Sequence, residues 1–531
     1  MKGLTTAAAL LGIFVVLVLP NRLDWITGKA FRVFPLELVV MGLLLLIPGR
    51  PGNAVRILLA LLLGLAVILR IADLISHEIF GRRFNLIFDS HLLADAGRLL
   101  SAATNTPIAI LAGLSVVLLT VLVTWRASLV LGHLQRVLQR APRRSIATLL
   151  ILLVSWGMLK TTGGSPRADS FTSQQLILHA RDTVNSLHDM RAFAATVGDD
   201  PQAGQRADSL FSRLEDKDVF IVFAESYGRA LLEQPSFSAS ITASLSRAER
   251  SLEAAGFHIR SAFLTAPVVG GQSWLAHATL LSGAWIDSET RYRSLLVSNR
   301  IALNRLFREA GWRSVAALPA ISMAWPEGAY YGYDQVYNAG NFGYEGLPFN
   351  WVTMPDQYVW SALQAQERDK KDRQPLMAEI ALISSHAPWT PIAQLVPWDA
   401  VRDGRVFDAQ AQAGPTPEQV WSDLQTIRDH YRRSIEYMLQ VLVAYLEEYG
   451  DENLVLLLLG DHQPAPMVSG DKANRDVPVH LIAKDPAMTK AIDSWHWQPG
   501  MLPDRNAPVW RMERLRNRFI AAFSGSPETR K

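Results

Sequence analysis

The stretch "DVFIVFAESYG", Asp218–Gly228, decides how the chain is read. Its apolar run neither alternates nor lasts long enough for a helix, so it reads as a strand buried on both faces. A glutamate and a serine, Glu225 and Ser226, end it abruptly. "NLVLLLLGDH" repeats the design and ends in Asp461 and His462. Between them "IALNRLFREAGW" reads as a helix, "RSVAALP" and "LMAEIALISSH" as strands, and "YRRSIEYMLQVLVAYLEEYG" as a long amphipathic helix. Alternation of this kind predicts an α/β domain with a mostly parallel sheet between helices. Open sheets of that class bind ligands beyond the carboxyl ends of their strands. Glu225, His386, Asp461 and His462 therefore belong to one candidate site.

Two carboxylates and an imidazole suit a single divalent ion such as Mn²⁺, Mg²⁺ or Zn²⁺. The stretch "GGQSWLAHATLLSG", Gly270–Gly283, adds a serine at the start of a helical pattern, about Trp274 to Leu281. A serine hydroxyl is a weak nucleophile until something takes or replaces its proton, and a metal ion does this without a dedicated base. Ser273 is thus the candidate nucleophile and a fourth metal ligand, with the helix N-terminus facing any bound anion. Taken singly, each piece reads as a capped turn, a loop start or a helix cap; their joint order carries the site. His277, one turn into that helix, is a candidate contact to the reacting group or a packed histidine. His480 reads as a core histidine and Asp356 as a helix cap.

The first 160 residues differ. The chain has 531 residues, 49% of them hydrophobic and 19% charged, and the apolar excess lies at the N-terminus. Runs near Leu4–Pro20, Phe34–Ile47, Val55–Ile71, Pro107–Trp125 and Ile146–Leu159 read as about five membrane spans. The first exits through Pro20-Asn21-Arg22, without a small-residue cleavage site, so it reads as a retained span. "WRASLVLGHLQRVLQRAPRRS", Trp125–Ser145, has five arginines and no acid after its tryptophan, so it reads as a cytoplasmic loop. The expected domains are a transmembrane bundle at 1–160, a juxtamembrane linker at 161–216 and an external catalytic domain at 217–531. A net charge of only +3 excludes a large basic field for nucleic acid, and the absence of cysteine excludes disulfides and thiolate sites.

On these motifs the chain resembles the membrane-anchored, sulfatase-like transferases of the alkaline phosphatase superfamily, which include lipoteichoic acid synthases, phosphoethanolamine transferases and phosphoglycerol transferases. "VFIVFAESYG", "GGQSWLAHATLLSG", "ISSHAPW", "LLLLGDHQP" and "VPVHLIA" carry the likeness. It implies one metal on Glu225, Ser273, Asp461 and His462, with Ser273 as nucleophile and His386 contacting the transferred phosphoryl group. The sulfatase pattern that converts the nucleophile to formylglycine is missing, since Leu275 and His277 hold its Pro and Arg places. In the teichoic acid synthases a lysine precedes the nucleophile, where this chain has Gln272. Their head-group pocket has Trp and then Arg; "AWPEG" keeps Trp325 and substitutes Glu327. The resemblance implies transfer of a phospho-head-group, of phosphoglycerol or phosphoethanolamine type, from a membrane phospholipid to a glycan or lipid acceptor. It places the enzyme in a bacterial inner membrane with its catalytic domain on the periplasmic side. A membrane-bound sulfatase or phosphodiesterase using the same site is the alternative.

Overall fold

The computed structural model describes residues 2–89, 106–161, 168–202, 209–470 and 473–525. The chain divides into two compact units, Met1–Glu78 with Arg82–Arg191, and Ile79–Gly81 with Ala192–Lys531.

The first unit is helical: α1 (Lys2–Val18), α2 (Leu36–Leu44), α3 (Gly49–Phe80), α4 (Thr106–Arg140), α5 (Pro142–Thr161) and α6 (Phe171–Thr196). Among the described residues two helices, α3 and α5, are long and apolar enough to cross a membrane, and α1 contributes a shorter apolar segment, Thr6–Val18. The expectation of about five spans is corrected accordingly. The run at Phe34–Ile47 yields only the nine residues of α2, a length of about 14 Å against a hydrocarbon core of about 30 Å. The arginine-rich stretch is also not a loop, because α4 continues unbroken to Arg140. Side chains at the start of α4, and residues 90–105 between the expected third and fourth spans, lie outside the described residues.

The second unit is built on a nine-stranded sheet. Its strands are β1 (Asp218–Ala224), β2 (His258–Thr265), β3 (Arg313–Leu318), β4 (Gln335–Asn338), β5 (Leu376–Leu382), β6 (Leu454–Gly460), β7 (Asp476–Ala483), β8 (Gln498–Pro499) and β9 (Val509–Arg511). They lie in the order β8-β2-β7-β6-β1-β5-β3-β4, with β9 also on β2. The block β6-β1-β5-β3-β4 is parallel throughout. β7 runs antiparallel to both its neighbours, so the sheet is mixed rather than mostly parallel. Every residue of β1, β6 and β7 is buried. A strand buried on both faces carries the same apolar signature in either direction, which is why composition missed the reversal.

Helices cover the sheet. α7 (Ser238–Ala254) packs against the long helix α10 (Leu424–Tyr449), whose N-terminus is capped by Asp423 accepting from the Thr426 N–H. The segment that carries the candidate nucleophile forms α8 (Ser273–Ser282), and α9 (Asp356–Leu363) precedes β5. Apolar clusters lie on both sides of the central strands, one including Phe220, Val222 and Tyr431, the other Ile221, Phe223 and Leu275. The alternation of Phe220 and Ile221 between them is the period-2 pleat of a strand buried on both faces.

Candidate active site

β1 and β6 are neighbours in register, Ala224 opposite Gly460, so the next residues of each, Glu225 and Asp461, emerge side by side. Gly460 is required at this place. A Cβ there would lie 2.0 Å from the Tyr227 carbonyl oxygen, so the turn after β1 closes over bare backbone. Two non-glycine residues adopt left-handed backbone at the site, Ser226 with φ 58° and Gln272 with φ 64°. Such conformations cost about 1–3 kcal/mol and persist where the surroundings fix them. Ser226 repays its conformation in bonds: its N–H donates to Asp461 Oδ1 at 2.8 Å and its hydroxyl to Glu225 Oε1 at 2.7 Å. Gln272 sets the turn that starts α8 on Ser273.

Glu225, Asp461 and His462 are all buried, and one ligand atom from each lies within 4.8 Å of the others. Ser273 joins them: its Oγ donates to Glu225 Oε2 at 3.0 Å and lies 3.1 Å from His462 Nε2. His462 Nδ1 lies 2.9 Å from the Gln463 carbonyl oxygen. A carbonyl only accepts, so Nδ1 carries the proton and Nε2 is the vertex turned toward the carboxylates and the serine. Among the described residues neither carboxylate pairs with Lys or Arg; their ion-pair partner is His462. Burial together with the nearby Glu225 charge pushes the Asp461 carboxyl up to about 6. Burial also works to raise Glu225, but His462 and His386 outweigh it and hold that carboxyl down to about 2. Burial opposes charge on His462, while Asp461 and Glu225 prevail and raise it. Two buried acids that share one imidazole, with no fixed cation, fit a divalent ion.

The remaining candidates fall at different ranges. His386 is exposed at the rim. The preceding Ser385 hydroxyl donates to the Glu225 carbonyl oxygen at 2.6 Å, which brings the His386 loop beside the cluster. Asp356 does not cap its helix as expected. It is the first residue of α9, and its Oδ1 accepts from the Ser384 N–H at 2.9 Å while the Ser384 hydroxyl accepts from the Asp356 N–H. The aspartate is therefore a strut for the His386 loop. His277 stacks on Phe223 with ring centroids 3.8 Å apart, and its Nδ1 lies 2.6 Å from Glu379 Oε1. Trp325 stacks on Tyr331 and packs near Tyr333. Glu327 precedes the short helix Gly328–Tyr331 and makes no hydrogen bond to the cluster among the described residues. His480 is fully buried between Ser261 and Tyr227, as a core histidine.

Sequence reasoning missed Glu379, Tyr333 and the roles of Ser226 and Asp356. Glu379 had a signal: it is the one charged residue in "LMAEIAL", an apolar strand run.

No family model and no curated protein matches the chain. Solved structures of the alkaline phosphatase superfamily resemble it. One is the lipoteichoic acid synthase LtaP from Listeria monocytogenes, at 14% identity over 63% of this chain and 79% of that one, with a TM-score of 0.40. The soluble domain of lipooligosaccharide phosphoethanolamine transferase A from Neisseria meningitidis matches at 12%, over 58% and 88%, with a TM-score of 0.39. The Streptococcus pyogenes phosphoglycerol transferase GacH, in complex with sn-glycerol-1-phosphate, matches at 13%, over 64% and 86%, with a TM-score of 0.37. At these values the likeness decides nothing about substrate, and the chemistry rests on the side chains described above.

Proposed function

We propose that this chain is a membrane-anchored transferase that moves a phospho-head-group from a phospholipid, through a covalent intermediate on Ser273, to a glycan or lipid acceptor. The observation that carries this reading is the placement of Ser273 Oγ, within 3.1 Å of both Glu225 and His462 at the start of α8. Those residues, with Asp461, would hold one divalent ion. Such an ion lowers the pKa of a bound hydroxyl and neutralises charge on a phosphoryl oxygen.

Ser273 Oγ forms a bond to phosphorus while the bond from phosphorus to the diacylglycerol oxygen breaks. The serine gives up its proton to solvent, and the leaving oxygen takes one from protonated His386 at the rim. In the second half an acceptor hydroxyl gives its proton back to His386, bonds to phosphorus and frees Ser273. The Ser273 and Trp274 N–H groups that open α8 face the anionic group as it transfers, while the Leu275 N–H is taken by the Gln272 carbonyl oxygen at 2.9 Å. The apolar helices α3 and α5 support an anchor that keeps the second unit close to a lipid donor. This reading places the site on the periplasmic side of a bacterial inner membrane.

Intact-protein mass after incubation with phospholipid vesicles and Mn²⁺ tests the proposal. Wild type is expected to gain one phospho-head-group and release diacylglycerol, and Ser273→Ala to do neither. Cleavage of soluble sulfate or phosphate esters with no adduct from lipid would replace transferase by hydrolase.

A further inference from the structure

One set of side chains beside Ser273, grouped around His277, has no part in the centre described so far. His277 lies four residues after Ser273 on α8, so the two occupy one face of the helix a turn apart. Its ring is held on two sides. Phe223, two residues before Glu225 and on the same face of β1, stacks against it at 3.8 Å and 13°. Glu379 Oε1 accepts from Nδ1 at 2.6 Å. The other oxygen of Glu379 accepts from the Tyr333 hydroxyl.

Glu379 comes from the middle of β5, the strand beside β1, and is 2% exposed. A carboxylate this deep is costly unless paired. Its ion-pair partner among the described residues is His277. With both carboxylate oxygens accepting, Nδ1 is committed as the donor, and Nε2 makes no hydrogen bond to any described residue. The arrangement is that of a histidine whose second nitrogen is presented by a buried acid.

We infer that Glu379 and Tyr333 are positioning residues that clamp His277 so that its Nε2 contacts a non-bridging oxygen of the group carried by Ser273. This rests on the transfer reading above and extends it to a second wall of the site, opposite in chain origin to His386. His277, carrying a proton on each ring nitrogen, then donates through Nε2–H to the phosphoryl oxygen, and Glu379 supplies the countercharge. Tyr333 ties that carboxylate to the stack with Tyr331 and Trp325, so the aromatic loop and the nucleophile helix are joined through one acid.

The experiment is a variant set in the full-length protein, assayed by single-turnover adduct formation on Ser273 with phosphatidylglycerol and phosphatidylethanolamine vesicles. His277→Gln and Glu379→Gln are each expected to slow the adduct by about tenfold or more, as loss of a residue that orients a site ligand does. The double variant is expected to be no slower than the worse single, because Glu379 acts through His277. Ring ¹⁵N NMR should show His277 protonated at Nδ1 in wild type and lose that signature in Glu379→Gln. Tyr333→Phe removes only one hydrogen bond and decides the matter if Glu379→Gln fails to fold; it is expected to slow the adduct at least about threefold. Wild-type rates, within twofold, in a folded Glu379→Gln or in Tyr333→Phe would overturn the inference, as would fully additive losses in the double variant. Absence of any adduct in wild type would instead overturn the transfer reading, with the clamp still read from the ¹⁵N signature.

Discussion

At the scale of single residues the site is a problem in buried charge. Glu225 and Asp461 are brought together by adjacent parallel strands, and among the described residues no Lys or Arg pairs with either. Glu225→Ala, Asp461→Ala and His462→Ala should therefore each lose bound divalent ion, by metal analysis after desalting, and fall to background turnover. Ser273→Ala should keep its melting temperature to within a few degrees and lose turnover by several orders of magnitude. His480 tests the core rather than the site. Burial pushes it down to about 3 from an ordinary 6.5, so the folded chain keeps it neutral while the unfolded chain takes up a proton. Stability from this group is thus complete above pH 6.5 and declines as pH falls toward 3. Between pH 7 and pH 5 the loss is about 2 kcal/mol in denaturant unfolding. His480→Asn should flatten that acid limb, and an unchanged slope would exclude His480 as its source. The serine and the candidate metal ligands were legible because each ends a strand or starts a helix, where the sequence changes character within a residue or two. Glu379 was visible but unread, since a single acid in an apolar run does not say which helix will approach it.

At the scale of elements, two connections do the positioning. The turn after β1 passes under Gly460 with no room for a side chain. Gly460→Ala forces the Tyr227 carbonyl to move and should cost both stability and metal affinity, measured by thermal unfolding with and without Mn²⁺. The loop after β5 is held by the reciprocal Asp356–Ser384 hydrogen bonds. Burial pushes the Asp356 carboxyl up to about 6, a sign that it lies in an apolar setting. Asp356→Ala leaves the Ser384 N–H unpaired and should destabilise by about 1–3 kcal/mol. It should also slow adduct formation while leaving metal content intact, because it disturbs His386 and not the ligands. Loss of metal in this variant would contradict that division. The strand runs made β1, β5 and β6 legible in position. The direction of the neighbouring strands was not, because a hydropathy pattern has no direction and gave no warning that β7 reverses.

At the scale of the whole molecule, the proposed function joins a phosphoryl-transfer centre to the apolar N-terminal helices, which make it a candidate lipid enzyme. A reporter active only outside the cytoplasm should be active after Lys531 and silent at Ala141, next to the run of arginines that ends α4 and begins α5. The opposite pattern would remove lipid transfer on the periplasmic side. The sequence by itself determined the α/β class, the three residues Glu225, Asp461 and His462 now grouped with Ser273, and the apolar character of the N-terminus. It did so because burial, strand ends and helix starts are local properties written in residue type. The count of membrane-length helices, the reversed β7, the strut from Asp356 and the clamp of Glu379 on His277 were decided by tertiary structure alone. Each depends on which segments meet or where a helix stops, and residues as far apart as 277 and 379 carry no mark of one another until the sheet places β5 beside β1.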